Sequence, residues 1–153
     1  MAPHVRPALP ADADAIARVD ASGTRTLRAV YRPTPEALER GRGLRAGSET
    51  LVAELDGEVV GVVRLRAEGE TLQLFALFVD EAHRRRGVAR ALVAAACERA
   101  PARIALHTIA ETGNVPIFAR LGFVTVPEQA ADDVTGDGQL TDVAMELRPG
   151  RPA

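Results

Sequence analysis

The sequence predicts a single α/β domain of the α+β type, with about seven strands and about four helices. Three observations carry this. Asp56-Gly57 joins two apolar or alternating runs, 51–55 and 58–66, and both residue types tolerate the left-handed backbone that a tight hairpin demands. A continuous apolar run at 74–79 is followed by a short Arg-rich turn and an apolar-periodic helix. No internal repeat and no linker divides the 153 residues, a length sufficient for one real core.

In chain order, residues 4–8 read as a short strand, and Leu9-Pro10 leads into a helix over 11–21. Ile16 and Val19 share one face of that helix, and Asp12 is its expected cap. Residues 22–48 are Arg-rich and punctuated by Pro33, Pro35, Gly41, Gly43 and Gly47, with 35–40 as a second short helix. After the hairpin, a turn at 67–69 opens a strand over 70–79, so three antiparallel strands precede the Arg-rich turn. A helix over 86–100 places Val88, Leu92, Val93 and Ala96 inward and Arg90, Glu98 and Arg99 outward; Pro101 ends it. The small run Ala94-Ala95-Ala96 lets it lie close on a sheet. Residues 103–107 form a strand, and a short helix introduced at 112–116 stops at Gly122. Strands at 123–126 and 141–147 close the chain.

Composition excludes several classes. Acidic and basic residues nearly cancel, giving a net charge of -2, so no field recommends nucleic acid or an anionic membrane as partner. All 19 basic residues are arginine, so arginine enrichment at any one place says little, and lysine acetylation of the chain itself is impossible. The single cysteine forbids an intrachain disulfide. The first ten residues lack the apolar stretch of a signal peptide, and the apolar run at 91–97 is far too short to cross a bilayer. A cytoplasmic location is the expectation. The Asp-rich stretch at 132–138 lacks calcium-ligand spacing and a closing glutamate, so it reads as an acidic surface loop, and no metal is expected.

Chemistry concentrates at Arg84-Arg85-Arg86-Gly87-Val88-Ala89. A strand, a turn and a helix N-terminus together present backbone N–H groups without intrahelical partners, and the helix dipole adds partial positive charge. Such a place suits a phosphate or diphosphate. Gly87 lets the backbone approach the anion and Ala89 leaves it room. Neither better-known phosphate loop is present: there is no G-x-G-x-x-G and no G-x-x-x-x-G-K-[ST]. Read alone, three arginines are a solvated basic turn.

The spacing Arg-x-x-Gly-x-Ala resembles the acyl-CoA diphosphate motif of the GNAT acetyltransferase superfamily, and the element order resembles that fold over nearly the whole chain. The resemblance implies one domain over 1–153, a mixed, mostly antiparallel sheet of about seven strands flanked by about four helices. It further implies acetyl-CoA as cosubstrate. By position, the N–H groups of Arg85, Arg86, Gly87, Val88, Ala89 and Arg90 would hold the diphosphate, with Arg84 acting through its side chain or bracing the turn. In the family the fourth strand bulges and splays from the fifth, so main-chain groups of Leu77, Phe78 and Val79 would pair with pantetheine and polarise the acyl carbonyl.

The segment Asn114-Val115-Pro116-Ile117-Phe118-Ala119-Arg120-Leu121-Gly122-Phe123 resembles the family's Asn…Tyr-x-x-x-Gly-Phe stretch. Without the family, Ile117, Phe118 and Leu121 are the buried face of a short helix. The resemblance implies that Asn114 bonds the pantetheine arm. It also places Phe118 where most relatives carry a tyrosine that protonates the departing thiolate. Phenylalanine has no such proton. Tyr31, the only tyrosine, is the alternative acid, in a region where relatives hold the acceptor. The loss is tolerable, because a thiol ionises near pH 8.5 and an alkyl ammonium near 10.4, roughly, so the amine poses the harder proton problem.

For that proton, the strand at 71–79 offers no carboxylate. His107, at a strand end near Asn114, is the first choice as base, ahead of Glu111 and Glu81; His83 is expected on the surface. Cys97, some ten residues into its helix, reads as a buried thiol rather than a nucleophile. Two signals conflict over the acceptor: arginines at 25, 28, 32, 40, 42 and 45 favour one that bears an anion, and Asp132, Asp133 and Asp137 favour a cationic amine. A small-molecule or protein amine is expected, with a homodimer left open. The rival classes are a non-catalytic acyl-CoA sensor, motivated by Phe118, and a nucleic-acid binder, opposed by the net charge and the 3% aromatic content.

Overall fold

The Asp56-Gly57 hairpin forms as expected, with φ of 54° and 79° at its two central residues. It starts a seven-stranded sheet in a computed structural model that describes residues 2–100, 102–127 and 140–150. The elements run β1 (His4–Pro7), α1 (Ala13–Arg28), α2 (Pro35–Ala46), β2 (Glu49–Leu55), β3 (Glu58–Glu68) and β4 (Thr71–Val79). Then follow α3 (Val88–Arg99), β5 (Arg103–Ile109), α4 (Asn114–Arg120), β6 (Val124–Val126) and β7 (Asp142–Leu147). Strand order is β1-β2-β3-β4-β5-β7-β6. Every neighbouring pair is antiparallel except β4 and β5, which run parallel.

Alternation along the strands splits the core between the two faces of the sheet. On one face α3 and α4 close over Leu51, Val63, Leu74, Ile104, Phe123 and Met145, with Leu92 fully buried beneath α3. On the other, α1 lays Val19 and Ile16 on Val52, Val59, Val62 and Phe78. Beneath α1 the Arg64 guanidinium reaches both oxygens of Asp20, at 2.9 and 2.7 Å. Only 8% of Arg64 is exposed, so this bidentate pair answers a charge that would otherwise be buried alone.

Helices α1 and α2 both outrun the sequence reading. α1 continues to Arg28 because Gly23, a poor helix former, sits where the helix crosses the Phe78 ring: a Cβ there would lie 2.1 Å from Phe78 Cδ1. Packing overrides propensity. α2 reaches Ala46 through Gly41 and Gly43, both facing open space, and carries an Arg42–Glu39 ion pair. Asp12 stands at the N-cap position of α1, as expected, but its side chain makes no capping bond to that helix. Its carboxylate accepts from the Arg6 guanidinium at 2.7 and 2.9 Å and from the Leu9 N–H at 2.7 Å, which holds its pKa down at about 2. Arg6 also reaches Glu54, so one side chain ties β1 to β2 and to the entry of α1. No helix among the described residues is long and apolar enough to cross a membrane.

Candidate active site

Two features of β3 and β4 aim α3 at its place. Gly61, in β3, lies directly under the first turn of α3: a Cβ there would come within 2.6 Å of Val88 Cγ1 and 3.1 Å of Leu92 Cδ1. The helix therefore seats its N-terminus closer to the sheet than any other residue would allow. Asp80 N–H bonds the Val60 carbonyl at 2.8 Å, which fixes where the chain leaves β4.

The turn itself is built from left-handed backbone. Arg85 has φ 66° and Gly87 φ 80°, ψ 12°, and alternation of this kind points successive N–H groups into a common concavity. Helical bonding begins only with Ala91 N–H to the Gly87 carbonyl at 3.0 Å, so the N–H groups of Val88, Ala89 and Arg90 precede the first bond of the helix. Gly87 supplies no capping side chain, and the first turn contains no acidic residue. Arg84, Arg85 and Arg86 are exposed around it. Among the described residues, then, a positive helix end stands open, ringed by cations, with empty space within 4 Å of where a Gly87 Cβ would be. Val88 is different: only 2% exposed, its side chain anchors the helix while its N–H faces the turn.

Next to this turn the sheet opens. β4 and β5 pair over three residues only, Thr71↔Arg103, Leu72↔Ile104 and Gln73↔Ala105. On its other edge β4 bulges: Val62 pairs with Phe78 and Arg64 with Phe75, leaving Ala76 and Leu77 opposite Val63 alone. Ala76 takes φ 53° to make this possible. The last residues of β4, Leu77, Phe78 and Val79, lie at and past this bulge and have no partner in β5. Phe78 sends its side chain under α1, while Leu77 and Val79 lie against the α3 core, so what the opening offers from these residues is main chain. The sequence carried no local sign of the bulge, since alanine is not a residue that advertises positive φ.

α4 lies on the same face as α3, against β5. A 3₁₀ turn, Ala110–Thr112, and left-handed Gly113 (φ 80°) deliver Asn114 as its first residue. Arg90 of α3 donates to the Arg120 carbonyl at 3.3 Å and bridges the two helices. Phe118 is half-buried and meets Phe123 edge-on, with ring centroids 5.7 Å apart. It packs, as its chemistry requires. Ile117, expected on the buried face, is instead 48% exposed, because seven residues of helix present too narrow a stripe to bury Val115, Phe118, Leu121 and Ile117 together.

His107 lies two positions past the last β4–β5 pair, at the mouth of the opening and on the sheet face away from α3. Its Nδ1 is 3.0 Å from Asp142 Oδ2 on β7. An open groove of about 330 Å³ runs along this face, lined by Gln73, Arg103, Ala105, His107, Ala144 and Glu146 among others. Asp142 was missed in the sequence. It becomes visible only once the register sets His107 opposite Ala144 and brings Asp142 alongside on the same face.

The other proton-transfer candidates separate. Glu111 is not free to act as a base: it accepts from the Thr141 N–H at 2.7 Å and its hydroxyl at 3.1 Å, and the backbone bond holds its pKa below the usual range. His83, expected on the surface, is largely covered and paired with Asp80 at 3.2 Å. Cys97 is partly buried, and desolvation pushes its thiol up, away from nucleophilic use. Tyr31 sits beyond α1, its N–H on the Leu27 carbonyl and its ring 5.9 Å from the Arg28 guanidinium, in the connection to α2 and not beside His107 in sequence or sheet. Asp132, Asp133 and Asp137 lie outside the described residues.

Comparison with known proteins follows the same outline. The sequence matches the profile of the Acetyltransferase (GNAT) family over residues 17–123. No curated protein matches it. Solved structures that resemble it include nourseothricin acetyltransferase, 22% identical at a TM-score of 0.69, covering 97% of this chain and 99% of that one. A second is the ribosomal-protein-S18-alanine N-acetyltransferase of Escherichia coli, 16% identical, TM-score 0.68, with 99% and 96% covered. A third is the PaiA N-acetyltransferase of Thermoplasma acidophilum in complex with coenzyme A, 15% identical, TM-score 0.70, with 97% and 99% covered. At these identities the likeness is one of fold.

Proposed function

The chain belongs to the acetyltransferase (GNAT) family, and on that premise we propose that it transfers an acetyl group from acetyl-CoA to a primary amine by direct attack within a ternary complex. The observation that carries this is the uncapped N-terminus of α3 beside a sheet that stops pairing after Gln73 and Ala105. The first suits a diphosphate, and the second suits an extended arm rich in amides. In this arrangement the N–H groups from Arg85 to Arg90 hold the diphosphate, Arg84 braces the turn, Asn114 reaches the arm, and main-chain groups of Leu77, Phe78 and Val79 face the thioester.

The amine approaches along the groove on the His107 side. Its nitrogen attacks the acyl carbon, and its proton passes to His107 Nε2. The tetrahedral oxyanion then collapses with rupture of the C–S bond, and sulfur leaves as thiolate. With Phe118 in place of an acid, that departure proceeds unassisted, as the low pKa of a thiol permits. The acceptor is a small-molecule or protein amine, a range that the names of nourseothricin acetyltransferase and the S18-alanine enzyme illustrate for those proteins.

Release of free CoA thiol across a panel of amines tests the reaction. His107→Gln is expected to lower turnover about 100-fold, within the usual worth of a general base, with acetyl-CoA affinity unchanged. Wild-type protein that binds acetyl-CoA but releases no thiol with any amine replaces this reading with that of a sensor. Phe118→Tyr is expected to keep acetyl-CoA affinity within about threefold, under ~0.7 kcal/mol, since the ring keeps its place on Phe123. Its turnover rises if thiolate departure limits the wild type; a large loss of affinity would mean that the added hydroxyl displaces the arm.

A further inference from the structure

We propose that Asp142 is a positioning residue that fixes the tautomer and the orientation of His107, and that Glu111 with Thr141 forms the clamp that holds Asp142 in place. This rests on the transferase reading above and adds to it a second strand's contribution to the base. A lone imidazole at a half-exposed site, 48% accessible here, divides its single proton between two nitrogens and turns about its side-chain torsions. Each wrong tautomer or rotamer is an idle base.

The geometry removes both freedoms. Asp142 Oδ2, at 3.0 Å from Nδ1, accepts a proton from that nitrogen alone, so the neutral ring carries its hydrogen on Nδ1 and leaves Nε2 bare. The carboxylate is itself the less exposed partner, at 18%.

Asp142 does not depend on its own strand alone. Thr141, its neighbour, is held at three points: its N–H by Glu111 Oε1 at 2.7 Å, its hydroxyl by Glu111 Oε2 at 3.1 Å, and its carbonyl by the Ala110 N–H at 2.8 Å. Glu111 and Ala110 follow directly on β5, the strand of His107. The start of β7 is thus stapled to the end of β5 immediately beside the pair. Arg103 occupies Glu146 at 3.2 Å further along the groove, which among the described residues leaves Asp142 as the carboxylate bonded to the ring.

Nitrogen NMR of the neutral His107 ring, assigned by loss of its signals in His107→Gln, tests the tautomer without any substrate. The wild type is expected to show Nδ1–H alone, Asp142→Asn to retain it through its amide oxygen, and Asp142→Ala to show a mixture. With amine and acetyl-CoA, kcat of Asp142→Ala should fall about 10-fold or more, part of what a general base contributes, while acetyl-CoA affinity and thermal midpoint hold. In the His107→Gln background Asp142→Ala should cost nothing further. A purely structural cross-strand pair would lower the midpoint and leave tautomer and kcat alone. An unchanged tautomer in Asp142→Ala, or added loss in the double variant, overturns the proposal. Absence of thiol release by the wild type would overturn the transferase reading instead, and the spectrum would still decide the role of Asp142.

Discussion

Gly87→Asp is expected to cut acetyl-CoA affinity about 100-fold or more, equivalent to ~2.7 kcal/mol, and to leave the protein folded. The two effects separate cleanly at this residue. A side chain at φ 80° pays roughly 1–2 kcal/mol of backbone strain, least for Asn and Asp. Against it, an aspartate at a helix N-cap satisfies an orphan N–H and meets the positive end of the dipole, which returns about 1 kcal/mol. Stability should therefore barely move. The ligand fares otherwise, because the new carboxylate enters the open space above the turn and occupies the same N–H groups that a diphosphate needs. A unit charge some 4 Å from another costs about 4 kcal/mol at an effective dielectric of 20. Calorimetric titration of both proteins with acetyl-CoA measures it, and Gly87→Ala, which has the strain without the charge, should lose far less. Equal affinity of Gly87→Asp and wild type would remove the diphosphate from this turn.

Gly61→Val should be the most damaging substitution for the fold, at about 3 kcal/mol or somewhat more, because overpacking a rigid core forces backbone to move. Its Cβ alone would stand 2.6 Å from Val88 Cγ1, and Val88 is fully surrounded. Relief comes only by lifting the first turn of α3 off β3. Stability and ligand affinity should therefore fall together: the urea midpoint drops, and the surviving folded fraction binds acetyl-CoA more weakly since the cradle has tilted. Gly61→Ala should show the same pair of losses in smaller measure. A variant that is destabilised but binds normally would show that the cradle does not depend on the seating of Val88.

The particular residues explain what could be read in advance. Asp56-Gly57, the apolar run ending at Val79 and the periodic helix after Gly87 are local signals, each set by backbone chemistry within a few residues, and they placed the core strands and α3. The extent of α1 was hidden because its last turns are justified by Phe78, fifty and more residues away in sequence, fitting against Gly23. Gly61 drew no notice within the run 58–66, because the Val88 side chain it makes room for comes from a distant helix. At the site, the cation-ringed turn was legible from Arg84 to Ala89, and His107 as a titratable side chain on its strand, but not as a strand end, since β5 runs on to Ile109 through its pairing with β7. Asp142 was not, because its meaning depends on a cross-strand register. Asp12 and Glu111 were legible as acids but not in their employment, since Arg6 and Thr141 reach them through the fold.

The short parallel ladder has one more consequence. Three rungs between β4 and β5 join what are otherwise two leaves, β1 to β4 and β5 to β7, with α3 spanning the back like the spine of a book. Main-chain groups beyond Gln73 and Ala105 have no partner strand across the gap, so a coenzyme held there, as proposed, would mortar the leaves together. Recognition and stiffness then rise and fall as one quantity. On the proposed placement, each departing coenzyme would loosen the joint that its successor must tighten.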